Sequence, residues 1–149
     1  MSSSHITAVL NGAIESLSTI IPIPVSSGNP IVLSAPILQP EMGVLIGITG
    51  DVRGRMVLEG KMKAIGSIGE VMFGMALEGE MLESFAGELG NMIAGNMATN
   101  VSQKGLRVDI TPPTVLVGQT KLYGFDKAIS VPISLGDKGE LQIIFMLEE

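Results

Sequence analysis

In the stretch "ESFAGELGNMIAGN", residues 83–96, a carboxylate and an amide stand three residues apart on what the apolar spacing reads as a helix. At about 100° per residue, Glu88, Asn91, Gly95, Thr99 and Ser102 all fall within about 60° of Ser84. Phe85, Leu89, Met92 and Ile93 form an apolar stripe beside that face, interrupted toward its end by Asn96 and Asn100. An amide cannot act as a general base at neutral pH, but it both accepts and donates hydrogen bonds. That suits holding a water in line for attack on phosphorus, a reaction in which positioning supplies most of the catalysis. A neighbouring carboxylate can bind a cation on a partner or orient the site. Neither residue supplies a nucleophile or a metal cage. An enzyme built on this pair takes the rest of its active site from its substrate.

The surroundings of the pair bear on whether it is used. From Ser84 to Gln103, Glu88 is the only charged side chain, whereas a helix face that merely meets water is usually dressed with Lys, Glu and Arg. Gly87, Gly90 and Gly95 each cost the helix about 1 kcal/mol against alanine. Close approach by a partner requires both features. A solvated polar pair, with part of the small-residue pattern serving packing inside the domain, is the other reading, and composition leaves the two open.

The elements that must position this helix follow from pattern. Residues 6–20 have helical spacing through Ile6, Val9, Leu10, Ala13 and Leu17, with Ser4 as the expected cap. Residues 21–40 hold five of the eight prolines and predict extended, edge-type strands joined by a "SSGN" turn. "MGVLIGITG" and "RGRMVLEG" predict a hairpin with Gly50 and Gly54 near its turn. Residues 61–74 return to helical spacing through Met62, Ile65, Met72 and Phe73, with Gly74 as the stop. The acidic connector "ALEGE" then enters a helix over about 80–103, where Glu78, Glu80 and Glu83 suit its positive end and Lys104-Gly105 its close. "LRVDI", the Pro112-Pro113 break and "TVLVG" follow. "AISVPIS" and "ELQIIFMLE", joined by "LGDKG", close the chain as a second hairpin. This order predicts one domain over 1–149, with 1–5 flexible: an α+β fold, a mostly antiparallel sheet with long helices packed on one face.

Composition narrows the partners. The chain is 46% hydrophobic with no Trp, one Tyr and four Phe, so its core must be aliphatic, and its ten Met residues are read as core. A net charge of −6 argues against nucleic acid. With no cysteine, a disulfide framework, a zinc-thiolate site and a cysteine nucleophile are excluded. No apolar run approaches the roughly 18–20 residues of a membrane span, and "MSSSHITAVL" lacks the basic start of a signal peptide, so a cytoplasmic protein without membrane contact is expected. "GITGDVRG" has no GK[ST] and is read as a hairpin turn, not a phosphate-gripping loop. His5 stands alone, and Asp51, Asp109, Asp126 and Asp137 show no metal-site spacing.

The order Ser84-x3-Glu88-x2-Asn91, with Pro113 beyond it, resembles the signature of the CheC–CheX–FliY family of chemotaxis phosphatases. "GELGNMIAGN" followed by "ITPPTVLVG", after "GVLIGITGDVRGRMVLEG", is similar to the CheX branch in particular. The resemblance covers the chain from about residue 40 onward. It implies an aspartyl-phosphate phosphatase acting on phosphorylated CheY-type response regulators, with Mg²⁺ on the regulator and no cofactor on this chain. Asn91 would position the hydrolytic water, and Glu88 would contact the regulator's active-site lysine. Ser84, Gly87 and Gly95 would line the contact, and Pro113 would shape the site. A homodimer is implied as well. Relatives of the CheC and FliY types carry the motif on two helices. Here the first helix offers Asn11-x3-Glu15-x2-Ser18, with Pro40 beyond it, which reads as a faded copy and predicts one active site per chain. Two alternatives carry no catalysis: a dimeric CheX-like module that only binds a regulator or other signalling protein, and a structural domain whose helix face is buried in its own dimer.

Overall fold

The computed structural model describes residues 3–34, 37–39, 41–125 and 127–148. The chain opens with helix α1 (Ser3–Ile20), then the short strands β1 (Ser26–Ser27), β2 (Ile31–Leu33) and β3 (Ile37–Gln39). A hairpin of β4 (Met42–Gly50) and β5 (Gly54–Gly60) leads into helices α2 (Met62–Phe73) and α3 (Gly79–Ser102). Strands β6 (Val108–Ile110), β7 (Thr114–Val117) and β8 (Thr120–Leu122) follow, and β9 (Ala128–Ser134) and β10 (Glu140–Leu147) end the chain around a 3₁₀ turn at Gly136–Lys138. Both predicted hairpins and all three helices are present. Helix α1 starts earlier than its apolar spacing suggested. Ser4, read as the cap, lies inside its first turn together with Ser3 and His5 from the stretch expected to be flexible. Gly74 closes α2 as expected, with φ 72° and its N–H donating to the Glu70 carbonyl. The other end of α2 has no cap of its own, and the Glu41 carboxylate accepts from the Met62 N–H at 3.1 Å instead.

Sheet order explains the rest of the architecture. The centre is β9–β10–β5–β4, all antiparallel, and each outer flank is one interrupted strand. On β9, Ser27 pairs with Ile133 and Ile31 with Ser130, while the Gly28 N–H donates to Pro132. Asn29 and Pro30 therefore share the space opposite Val131, a bulge at a residue with no N–H to offer. The "SSGN" segment is thus not a turn joining two paired strands but part of a single broken edge. On β4, Ile110 pairs with Ile48 and Thr114 with Leu45, so Thr111, Pro112 and Pro113 bulge opposite Ile46 and Gly47. Thr111 ties this bulge down: its Oγ1 accepts from the Gly47 N–H at 2.7 Å, and its own N–H donates to the Gly47 carbonyl.

The sheet has two unequal faces. Val44, Ile46 and Ile48 of β4, Met56 and Leu58 of β5 and Ile143 and Phe145 of β10 point into the main core under the three helices. Val57, Ile144 and Met146 point the other way, into a small cluster with Leu122 of β8 and Ala128. There β3 and β8 pair as a separate two-stranded ribbon. Helix α1 lies along α3. The buried Ser16 hydroxyl donates to the Ile93 carbonyl at 2.6 Å, and a Cβ on Gly12 would stand 3.0 Å from Val101. Not all methionines are core: Met72, Met75 and Met81 are exposed, because the core ends at Ile68 of α2 and at Leu82 and Phe85 of α3.

Glu59, on the small-cluster side of β5, is buried, and its Oε2 has no hydrogen-bond partner among the described residues. Burial raises its pKa above the ordinary 4.5. The folded state then holds the proton more tightly than the unfolded chain. Its contribution is favourable below pH 4.5 and is lost as pH rises through the folded pKa. Glu59→Gln should accordingly be more stable than the parent at pH 7, with the gap narrowing in acid, as read by urea denaturation across pH. A second prediction concerns the seat of α3. A Cβ on Gly90 would lie 2.7 Å from Val44 Cγ1 and 3.0 Å from its Cβ. Gly90→Ala should cost about 1–3 kcal/mol despite alanine's helix propensity. Adding Val44→Ala should recover part of the loss in the same denaturation experiment.

Candidate active site on the central helix

Helix α3 is fixed by what it buries. Leu82, Phe85, Ala86, Leu89, Ile93, Met97 and Val101 recur at three- and four-residue spacing and face the core. Asn96 and Asn100, which spoil the apolar stripe in the sequence, belong to the α1 contact. The Asn100 amide donates to the Gly12 carbonyl at 3.0 Å and to Asn96 Oδ1 at 3.3 Å. The helix starts after an extended Glu78 that makes no side-chain cap bond, with Glu80 in its first turn, where the helix dipole favours a carboxylate.

On the outward face Ser84 and Glu88 are exposed and Asn91 is half-buried. Among the described residues none of the three side chains has a hydrogen-bond or ion-pair partner within the chain. Glu88 and Asn91 are i, i+3 neighbours, so their Cβ atoms lie roughly 5–6 Å apart and both groups can meet one ligand. Thr99 and Ser102, on the same face, are spent locally: Thr99 donates to the Gly95 carbonyl and Ser102 to the Thr99 carbonyl. The usable polar surface is therefore Ser84, Glu88 and Asn91.

The three glycines have three different surroundings. Gly90 is the seat on Val44. Gly87 is buried, and a Cβ there would meet Val115 Cγ2 at 3.1 Å and Pro113 Cγ at 4.0 Å. The expectation that Gly87 lines a partner contact is thus corrected: it lets the β6–β7 edge close on the helix. Pro113 stands beside the same turn of the helix, at Gly87. At Gly95 a Cβ would meet nothing within 4 Å, so only this glycine leaves room in front of the helix.

The faded motif on α1 is exposed, and Glu15 forms a long ion pair of 3.9 Å with Lys104. Both halves of the chain run from a long helix through a bulged edge strand and a ribbon strand to a hairpin. Residues 21–25 separate α1 from its edge and 103–107 separate α3 from its own. Counted from the helix ends, Glu88 and Asn91 correspond to Ile6 and Val9, which are apolar. The repeat is present, but Asn11, Glu15 and Ser18 are out of register with it. Pro30, directly before β2, matches Pro113 before β7, and Pro40 lies outside the described residues.

A family model described as chemotaxis phosphatase CheX matches residues 42–134. The CheY-P phosphatase CheX of Thermotoga maritima is 31% identical over 139 residues, covering 91% of this chain and 90% of that protein. The chain belongs to the CheX family. Its fold is similar to that of the chemotaxis protein CheX of Vibrio vulnificus, with a TM-score of 0.80 at 22% identity over 98% of this chain and 100% of that one. It is likewise similar to a chain of the CheX–CheY–BeF3–Mg²⁺ complex of Borrelia burgdorferi, with a TM-score of 0.78 at 24% identity over 97% of each chain. The CheX family match contains the β4–β5 hairpin, all of α3 and the Pro112-Pro113 bulge, while α1, which packs along α3, precedes it.

The glycine surroundings make a direct prediction. Gly95→Ala should raise stability by up to about 1 kcal/mol, because the new methyl meets no atom while helix propensity improves. Gly87→Ala should yield no such gain, because its methyl presses on Val115. Thermal denaturation of the two variants separates the cases.

Proposed function

We propose that this chain hydrolyses the aspartyl phosphate of a CheY-type response regulator, with Asn91 holding the attacking water and Glu88 docking the regulator. The observation that carries the reading is the unpartnered Glu88–Asn91 pair on an open helix face of a CheX-family chain. Its apposition to the regulator's phosphorylated aspartate would place the Asn91 amide beside the phosphorus. The carboxamide oxygen accepts from the water while the NH₂ donates to a phosphoryl oxygen, fixing a lone pair in line with the bond to be broken. Water oxygen bonds to phosphorus, the bond to the aspartate oxygen breaks, the regulator recovers its carboxylate, and inorganic phosphate leaves carrying the water's protons. The regulator supplies Mg²⁺ for the charge that develops on the phosphoryl oxygens. Asn91 itself takes up no proton.

Glu88, one turn toward the N-terminus, is placed to pair with a cation on the regulator, such as its active-site lysine. Ser84 extends the same line by another turn, and the space in front of Gly95 admits the regulator's surface. The half-buried setting of Asn91 restricts its rotamers, which lowers the entropy cost of holding one water geometry.

Phosphate release from a phosphorylated regulator should be accelerated by the parent protein. Asn91→Ala should lose roughly 100-fold or more of that acceleration while retaining regulator binding. Glu88→Ala should weaken binding first. Equal rates for the parent and Asn91→Ala would overturn the assignment, and tight binding without faster phosphate loss would mark a non-catalytic binding module.

A further inference from the structure

Five of the nine large hydrophobic side chains left exposed among the described residues share one stretch of chain, while Ile31, Val32, Val117 and Tyr123 lie apart from it, on β2, on β7 and just after β8. These five, Val71, Met72, Phe73, Met75 and Met81, all lie between the last turns of α2 and the first turn of α3. Phe73 is 60% exposed, Met81 56% and Met75 53%. This is not a frayed connection. Leu77 folds back so closely that a Cβ on Gly69 would stand 2.6 Å from its Cδ1, and Phe73 meets Phe85 edge to face at 5.8 Å between ring centres. With Leu77 as the inward anchor, Met75 is left outside.

The patch is continuous with the line of polar residues on α3. Met81 is i−3 to Ser84 and i−4 to Phe85, and Ser84 is i−4 to Glu88, so they are neighbours along the helix surface. A body that brings its reactive group to Asn91 and lies along α3 toward the N-terminus meets Met81, then Phe73 and Met75. The stretch of chain that carries the patch has one sign of charge. No lysine or arginine stands between Lys63 and Lys104, while Glu70, Glu78, Glu80, Glu83 and Glu88 do. The ion pair among the described residues is Lys104–Glu15, so none of these five carboxylates is neutralised within the chain. Two copies meeting patch to patch about a two-fold axis would set carboxylates against carboxylates. The surface fits a partner that presents apolar side chains alongside lysine or arginine.

From this we infer that the Met75–Met81–Phe73 surface is a second docking site for the same response regulator that brings its phosphoryl group to Asn91, and that it sets which regulators this chain accepts. The inference rests on the phosphatase reading. Methionine is suited to the task, because a flexible, polarizable side chain packs against more than one apolar contour. The acidic stretch selects for basic surfaces and speeds encounter.

The test uses the full chain and a CheY-type regulator activated with beryllofluoride. Met75→Ser combined with Met81→Ser removes exposed side chains only, so the circular dichroism spectrum and melting temperature should stay those of the parent. Regulator affinity by titration calorimetry should fall at least tenfold. KM for the phosphorylated regulator should rise in proportion, and kcat at saturation should be unchanged. Asn91→Ala should show the reverse split. Affinity within twofold of the parent for the double variant overturns the inference, even if Asn91→Ala abolishes hydrolysis and the phosphatase reading stands. A parent that binds but does not accelerate phosphate loss defeats the phosphatase reading alone, and the affinity comparison still decides the docking site. A change in oligomeric state by light scattering with regulator affinity intact would reassign the patch to self-association and overturn the inference.

Discussion

The contact that the rest of the structure depends on is the seat of α3 on β4, where the Gly90 backbone closes on the Val44 side chain. A helix that sits this close presents its opposite face at a fixed height, and the polar residues on that face inherit the rigidity of the sheet beneath. Gly87 extends the same logic sideways, allowing the β6–β7 edge and Pro113 to close against the helix. On its other side α1 is locked in by the buried Ser16 hydroxyl and the half-buried Asn100 amide, which each find a carbonyl. Three contacts in three directions leave the helix one free face. A water-positioning amide needs this kind of mounting, because its whole contribution is geometry.

The two halves of the chain share a plan but not a role. Each offers a long helix, an edge strand broken at proline, a ribbon strand and a hairpin. In the second half the outward positions hold Glu88 and Asn91, whereas in the first their counterparts are Ile6 and Val9, and Val9 is fully buried. α1 has become a support for α3. The exposed Asn11, Glu15 and Ser18 keep the letter spacing of a site without its place in the fold.

Much of this was legible before the structure. The hairpins and helices follow from strong, long periodicities and from well-placed glycines such as Gly74. The pairing of the edge segments was not legible, since short proline-rich stretches have no period and their partners are far away in the chain. Nor could the letters distinguish Gly87, Gly90 and Gly95, because what separates them is Val115, Val44 and open space. Asn96 and Asn100 looked like flaws in an apolar stripe until α1 supplied a carbonyl. The site pair stood out for the opposite reason. Its signal was the absence of other charges on one helix face, which local reading detects well. The exposed methionines were missed because hydrophobic spacing predicts that a residue faces inward but not where the core stops.

The crossed edges carry a consequence for how the molecule comes into being. The first half's edge, residues 26–33, pairs with β9 of the second half, and the second half's edge pairs with β4 of the first. Neither half can complete its own sheet. On the ribosome, the first edge strand is made long before its partner emerges and must wait with Ile31 and Val32 unpaired. Pro30, which has no N–H to donate, is then more than a break in a finished ladder. It blunts a sticky strand while the chain is still incomplete, guarding the nascent protein against pairing with its neighbours.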